Sequence, residues 1–265
     1  MPDHLQSKWS DRPEWFDDST FWERFAPIMF DDAHWKEVPE AAYSVIELAE
    51  LTIPSEKLPV PSKILDMQCG FGRISAELAR YGFSVTGVDI TDSYLKAAKE
   101  DAEYENLNIE YIKSDSRNFT RPNYFDTAVI LYNSFGFFSD QNDDKLVICN
   151  LFESLKNNGT IIIENLGKEI AVRDYVENDW FERAGYKVLT EYQILDSWEY
   201  LKNRWILVKD GEEYEKTFIQ RMYSATELKS LLLETGFKNI EIYGDWYKNA
   251  YDHNAEKLIV VGRKI

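Results

Sequence analysis

Cysteine, histidine and uninterrupted apolar sequence are all scarce in this 265-residue chain. Its two cysteines, Cys69 and Cys149, lie far apart, so they match neither a disulfide framework nor a zinc site and fit a reducing cytoplasm. The three scattered histidines, His4, His34 and His253, argue against a histidine metal centre. The longest apolar runs, such as Thr160–Ile163 and Leu258–Val261, are far too short to cross a bilayer. The opening residues, MPDHLQSKWSDRPEW, lack the basic-then-apolar layout of a secretory signal. A cytoplasmic protein with no membrane partner is expected. Positive charge is also in deficit, with 30 Lys and Arg against 47 Asp and Glu, for a net charge of −17. Polyanion binding needs cations that displace phosphate counterions, so no nucleic acid is expected as a partner. Against these deficits, 44% of the residues are apolar and 15% aromatic, enough for one large domain or a domain with an added module.

The chain has no fixed-period repeat and no low-complexity tract. Residues 1–60 are expected to form an N-terminal helical lid. Phe21, Trp22 and Phe25 fall at helical spacing after Ser19, which reads as an N-cap, and a second helix is expected over about Ala41–Leu51. A Pro-bounded connector, Ile53–Ser62, follows. Residues 61–180 then alternate short β-branched runs with longer runs of 3.6-residue period. Among them, DDKLVICNLFESLK reads as a helix ending near Gly159. This rhythm argues for right-handed crossovers and a parallel sheet, an α/β fold.

Residues 181–223 break the rhythm. Three extended segments follow one another between Tyr186 and Tyr223, the last two joined by Asp210-Gly211, a hairpin signal. They are expected to form a small antiparallel sheet beside the ligand pocket, and Trp198, Trp205 and Phe218 offer it the apolar area for a homodimer. Residues 224–265 return to a helix, with Ser224 and Glu227 spaced as a capping box, and two closing strands.

The chemistry concentrates in Lys63–Asp89. A strand ends at Asp66 and enters Met67-Gln68-Cys69-Gly70-Phe71-Gly72 ahead of a helix. Gly70 and Gly72 let the backbone turn sharply and approach a ligand, and the helix start behind them offers free N–H groups to an anion. The next strand ends at Asp89, where a carboxylate accepts hydrogen bonds from two ribose hydroxyls. A dinucleotide fingerprint would need glycines where Gln68 and Arg73 stand, which disfavours a nucleotide-dependent oxidoreductase.

Taken together, LDMQCGFGR, GVDIT, KSDSRNF and FDTAVILYNSFG resemble the motifs of the class I S-adenosylmethionine-dependent methyltransferases. FWERFAPIMF, SFGFFSD and the segment leading into RMYSATEL are similar to a bacterial small-molecule branch that includes sugar N-methyltransferases. The resemblance implies a Rossmann-like, doubly wound sheet of seven mostly parallel strands, with an antiparallel β insert and N-terminal helices. It implies S-adenosyl-L-methionine as cofactor, held by Asp66, Gly70, Gly72, Asp89, Ile90, Asp115, Ser116 and Leu131. Where the family has glycine, this chain has Gln68, whose side chain would crowd the methionine end.

The implied reaction is methyl transfer to a small-molecule acceptor, an amine being one class. No dedicated catalytic group is required, since the protein mainly has to align the reactants and exclude water. Because Tyr132, Asn133 and Glu164 follow predicted strand ends, they should share the ligand rim. The Tyr243–Glu256 connection should bring Tyr247, Tyr251 and His253 to the same place. Tyr132, Glu164 and His253 are candidates to take a proton from the acceptor. A non-catalytic binding protein on the same fold is the remaining alternative. A nucleic-acid methyltransferase is disfavoured by Asn133-Ser134-Phe135-Gly136, which lacks the proline pair of the amino-methylating enzymes.

Overall fold

The computed structural model describes residues 14–55 and 60–265, so Trp9 and part of the proline-bounded connector lie outside the description. Three helices come first: α1 (Ser19–Met29), α2 (Asp32–Lys36) and α3 (Val38–Leu48). The alternating body follows as β1 (Lys63–Met67), α4 (Arg73–Arg80), β2 (Ser84–Asp89), α5 (Asp92–Tyr104), β3 (Ile109–Lys113), β4 (Phe125–Ile130), α6 (Gln141–Ser154), β5 (Leu155–Asn165) and α7 (Lys168–Arg173). The insert is β6 (Asn178–Arg183), β7 (Tyr186–Leu195), β8 (Tyr200–Lys209) and β9 (Glu212–Arg221). The chain closes with α8 (Ala225–Thr235), β10 (Lys238–Tyr243) and β11 (Leu258–Arg263).

Seven strands form the main sheet in the order β10-β11-β5-β4-β1-β2-β3. Strands β1 to β5 pair in parallel, and β11 runs antiparallel to both β5 and β10. Ile64, Leu65 and Ile161–Ile163 are fully buried, because helices cover both faces and the central strands need apolar side chains on each. From β1 the chain winds outward to β3, then returns to start the other half at β4. That reversal opens a crevice beyond the carboxyl ends of β1 and β4, where an open α/β sheet binds its ligand.

The insert is an antiparallel sheet of four strands, one more than the sequence pattern suggested. The additional strand, β6, carries NDWFER at an edge and is mostly exposed, so it has no buried face to impose an alternating signal. Asp210 and Gly211 both adopt left-handed φ at the tip of the β8–β9 hairpin, as expected. Other boundaries differ for local reasons. The side chain of Asp18, rather than Ser19, caps α1 by accepting from the Thr20 and Phe21 amides. The third helix starts at Val38, with proline in its first turn. The α6 helix stops at Ser154, short of Gly159, because the Asn123 and Tyr124 amides take the Glu153 and Ser154 carbonyls and Leu155 pairs with Phe125 in the sheet.

The insert is fixed to the body at β9. The Arg221 amide donates to the Gly136 carbonyl at 2.7 Å, and Gly136 sits at φ +97°, where a Cβ would run into the Arg221 carbonyl. Behind this joint lies fully buried Asp144, which accepts from the Tyr223 hydroxyl at 2.8 Å and has the Arg221 Nε 3.6 Å away. Burial pushes the Asp144 carboxyl up to about 7. The aromatic stripe of α1 packs onto the other end of the insert: Phe21, Phe25 and Ile28 form one cluster with Val188, Leu207 and Phe218. Phe218 stacks on Trp15 ahead of α1, Trp205 packs against Phe25 of α1, and Trp198 packs against Tyr175. Phe218 is buried in this packing, and Trp198 and Trp205 are half-buried.

Candidate active site

Two cavities open at the crevice. The smaller, about 100 Å³, lies over the ends of β1, β2 and β3 and is lined by Asp89, Ile90, Asp115 and Ser116, with the rings of Phe16, Phe137 and Phe138. The larger, about 710 Å³, lies between the ends of β1, β4 and β5, helix α1 and the insert. Trp22, Phe30, Gln68, Gly70, Ser134 and Phe137 border both.

Asp89 is the organising acid of the smaller cavity. One carboxylate oxygen accepts the Gly70 amide and the other the Thr91 amide, both at 2.8 Å, so the side chain ties the glycine turn to the end of β2. Each oxygen retains capacity for a further donor. Burial is the largest influence on this carboxyl and moves it above its ordinary range, against the two backbone hydrogen bonds. Gly70 has φ +55° and borders both cavities.

Gly72 serves the turn differently from the expectation. It lines neither cavity, and a Cβ there would meet the Tyr111 hydroxyl, so its glycine is required by packing against β3. Asp115 lines the smaller cavity, but its carboxylate is held by Arg117, with Nε and Nη2 donating at 2.6–3.1 Å. Gln68, in the family's glycine position, is itself left-handed at φ +62°. Its side-chain amide lies 3.5 Å from the Ser116 hydroxyl, and the residue lines both cavities.

The larger cavity gathers Asp66, Leu131, Tyr132, Asn133 and Glu164, as the strand-end argument required. Asp66 accepts the Ser75 hydroxyl at 2.6 Å, and burial pushes its carboxyl up to about 6. Tyr132 and Asn133 both have positive φ in the sharp exit from β4. Glu164, at the end of β5, accepts the Tyr132 amide at 2.5 Å, and its nearest cation, the Lys257 ammonium, is 3.9 Å away. Desolvation raises the Glu164 carboxyl above the ordinary range. Asn133 is occupied with structure: it accepts the Leu166 amide and meets the Gln220 side chain of β9.

His253 does not join this group. It is exposed and lines neither cavity, and Tyr247 is 73% exposed. The Tyr251 hydroxyl donates to Glu169, and Arg173 donates to the carbonyls of His253 and Ala255, so α7 holds the connection on the outer surface. Lys257, just beyond it, is the residue from this region that reaches the cavity. Arg73, on the first turn of α4, also lines the larger cavity. It follows the glycine turn directly, a position at which a basic residue would have been a usable sequence signal.

Residues 64–159 match a family described as a methyltransferase domain, and the strand order, glycine turn and terminal acid of β2 lie within or around that segment. The chain carries a methyltransferase domain, on the fold of the S-adenosylmethionine-dependent methyltransferases. Its cofactor is S-adenosylmethionine. It is 25% identical to a glycine/sarcosine N-methyltransferase of Aphanothece halophytica, over 76% of each chain. Among solved structures it is similar to an S-adenosylmethionine-dependent methyltransferase from Clostridium acetobutylicum, with TM-score 0.74, 17% identity, and 92% and 97% of the two chains covered. It is also similar to an amino pentose methyltransferase from Micromonospora echinaspora, with TM-score 0.66, 15% identity, and 93% and 97% covered. No described helix of this methyltransferase is long and apolar enough to cross a membrane.

Proposed function

We propose that this methyltransferase acts on a small-molecule amine held in the larger cavity. The carrying observation is Glu164, a buried carboxylate on the cavity wall whose nearest cation is 3.9 Å away. A buried acid in that setting favours a cationic or hydrogen-donating group brought by the ligand. The N-methyltransferase named among the relatives supports the same class of acceptor.

The residues present fit the cofactor. Asp89 has lone pairs to offer two ribose hydroxyls. Ile90 and the nearby rings suit a flat, apolar base, and Ser116 with the backbone near Asp115 reads its edge. Asp66, Gly70 and Leu131 border the cavity on the amino-acid side. S-adenosylmethionine supplies a methyl group already activated by its sulfonium. Everything else falls to the protein. Trp22 of α1 and Phe30, just beyond its end, border both cavities and offer ring faces to a cation. An alkyl ammonium, with a pKa of about 10, must lose a proton before its nitrogen attacks. Glu164, raised by burial, holds the ammonium and accepts that proton. Tyr132 and Asn133 shape the wall beside it.

The proposal is tested by incubating the protein with methyl-labelled S-adenosylmethionine and a panel of primary and secondary amines, matched alcohols and thiols. Label in amines, and little in alcohols or thiols, is expected. Label confined to oxygen or sulfur acceptors would reject the amine reading.

A further inference from the structure

The insert brings to the larger cavity a row of side chains that neither the cofactor nor the proton transfer uses. Gln220 of β9 ties this row to the reacting end. Its side chain accepts from the Asn133 side-chain amide at 3.4 Å and donates to the Asn133 carbonyl at 3.3 Å, while the Asn133 backbone amide donates to the Glu164 carbonyl at 3.3 Å. Leu201 of β8 stands opposite Gln220. Two residues back on the same face of β9, about 7 Å along the strand, Phe218 stands opposite Asn203, and Asn203 opposite Tyr192 of β7. Trp205 closes the row, its ring centre 5.5 Å from that of Phe218. All six residues line the cavity. The two amides are engaged within the protein, Asn203 donating to the Leu201 carbonyl at 3.1 Å and Gln220 bonding to Asn133 and Phe135. A ligand therefore meets three rings and Leu201. The cations of the wall are also matched: Arg183 lies 3.3 Å from Asp31, Lys257 lies 3.9 Å from Glu164, and the carboxylates of Asp66, Glu37 and Asp31 act on Arg73. A phosphorylated acceptor gains little from cations that acids already neutralise.

We infer that the acceptor is an arylalkylamine, with its flat apolar ring seated on the inner face of the insert against Tyr192, Leu201 and Phe218 and its amine held on a short alkyl chain at Glu164. The inference deepens the amine reading and rests on it. A cavity of about 710 Å³ falls in the range that encloses ligands of several rings. A compact amine would leave the wall of the insert facing water, so its apolar area would add nothing to binding. A ring in the acceptor removes that area from water and finds ring neighbours for edge-to-face or offset packing.

The test is calorimetry on protein saturated with S-adenosylhomocysteine, titrated with 2-phenylethylamine, ethylamine and 2-phenylethanol. The wild type is expected to bind 2-phenylethylamine about thirtyfold or more tighter than ethylamine. Tyr192→Ala and Leu201→Asp should each weaken 2-phenylethylamine about tenfold or more, while S-adenosylhomocysteine binding changes less than about threefold. Both side chains are half-buried, and retained S-adenosylhomocysteine affinity shows that a variant is folded, so either variant serves if the other fails to fold. The inference is overturned if 2-phenylethylamine binds within about tenfold of ethylamine, or if folded variants bind it within about threefold of wild type. If 2-phenylethanol binds as tightly as 2-phenylethylamine and suffers the same losses in the variants, the ring seat stands and the amine reading is rejected.

Discussion

Asp89→Ala is expected to weaken S-adenosylhomocysteine binding roughly 30- to 150-fold, about 2–3 kcal/mol. Two losses combine. The ribose hydroxyls lose a charged acceptor, each such bond being worth roughly 1.5–3 kcal/mol before water recovers part of it. The Gly70 amide, now held at 2.8 Å, also loses the acceptor that fixes the glycine turn. Asp89→Asn should lose less, because its one amide oxygen still accepts a backbone N–H. The sheet should survive either change, since Asp89 is the last residue of β2 and its side chain is bonded to the Gly70 and Thr91 amides of the rim. Calorimetry gives the affinity, and circular dichroism the integrity of the fold. A folded alanine variant that binds within about threefold of wild type, under ~1 kcal/mol, would remove Asp89 from the site.

Glu164→Gln should lower kcat on the best amine acceptor by about 100-fold or more, within the usual span of general-base effects, while leaving cofactor affinity nearly unchanged. Glutamine keeps an oxygen for the Tyr132 amide, so the β4 exit stays in place, but it cannot take a proton. The pH profile is the sharper readout. The reactive form of Glu164 is the carboxylate, so the wild-type rate should rise with pH. Burial raises this carboxyl, so that limb should lie above the ordinary glutamate value of about 4.3. Glu164→Gln should abolish it and leave only the limb belonging to the amine. An unaltered kcat and profile would show that the acceptor nitrogen loses its proton elsewhere.

The cofactor half of this molecule was legible because its signals are local. A strand, a glycine turn, a helix and a strand-end acid lie within 27 residues, Lys63–Asp89, and local chemistry fixes how they meet. Where sequence reasoning assigned a role from the motif alone, the packing could differ. Gly72 makes room for Tyr111, a residue 39 positions away, and Asp115 is taken by Arg117. The direction of the Gln68 side chain, toward Ser116 48 positions away, is likewise set by packing.

The acceptor half is made by long-range convergence. Trp15 stacks on Phe218 across some two hundred residues of chain, and no periodicity in either segment announces that contact. His253 failed for the related reason that a loop at the correct edge of a sheet still has an inside and an outside, here decided by Arg173. Arg73 was passed over as a missing glycine, and its burial on the wall of the larger cavity exists only in three dimensions.

A crystal structure with S-adenosylhomocysteine tests the central claim most directly, because it locates the sulfur relative to both cavities. The account predicts the base beside Ile90 and Ser116, the ribose hydroxyls on Asp89, and the sulfur at the mouth of the larger cavity, facing the wall that carries Glu164. A ligand bound outside the crevice, or a sulfur directed away from the larger cavity, would contradict it.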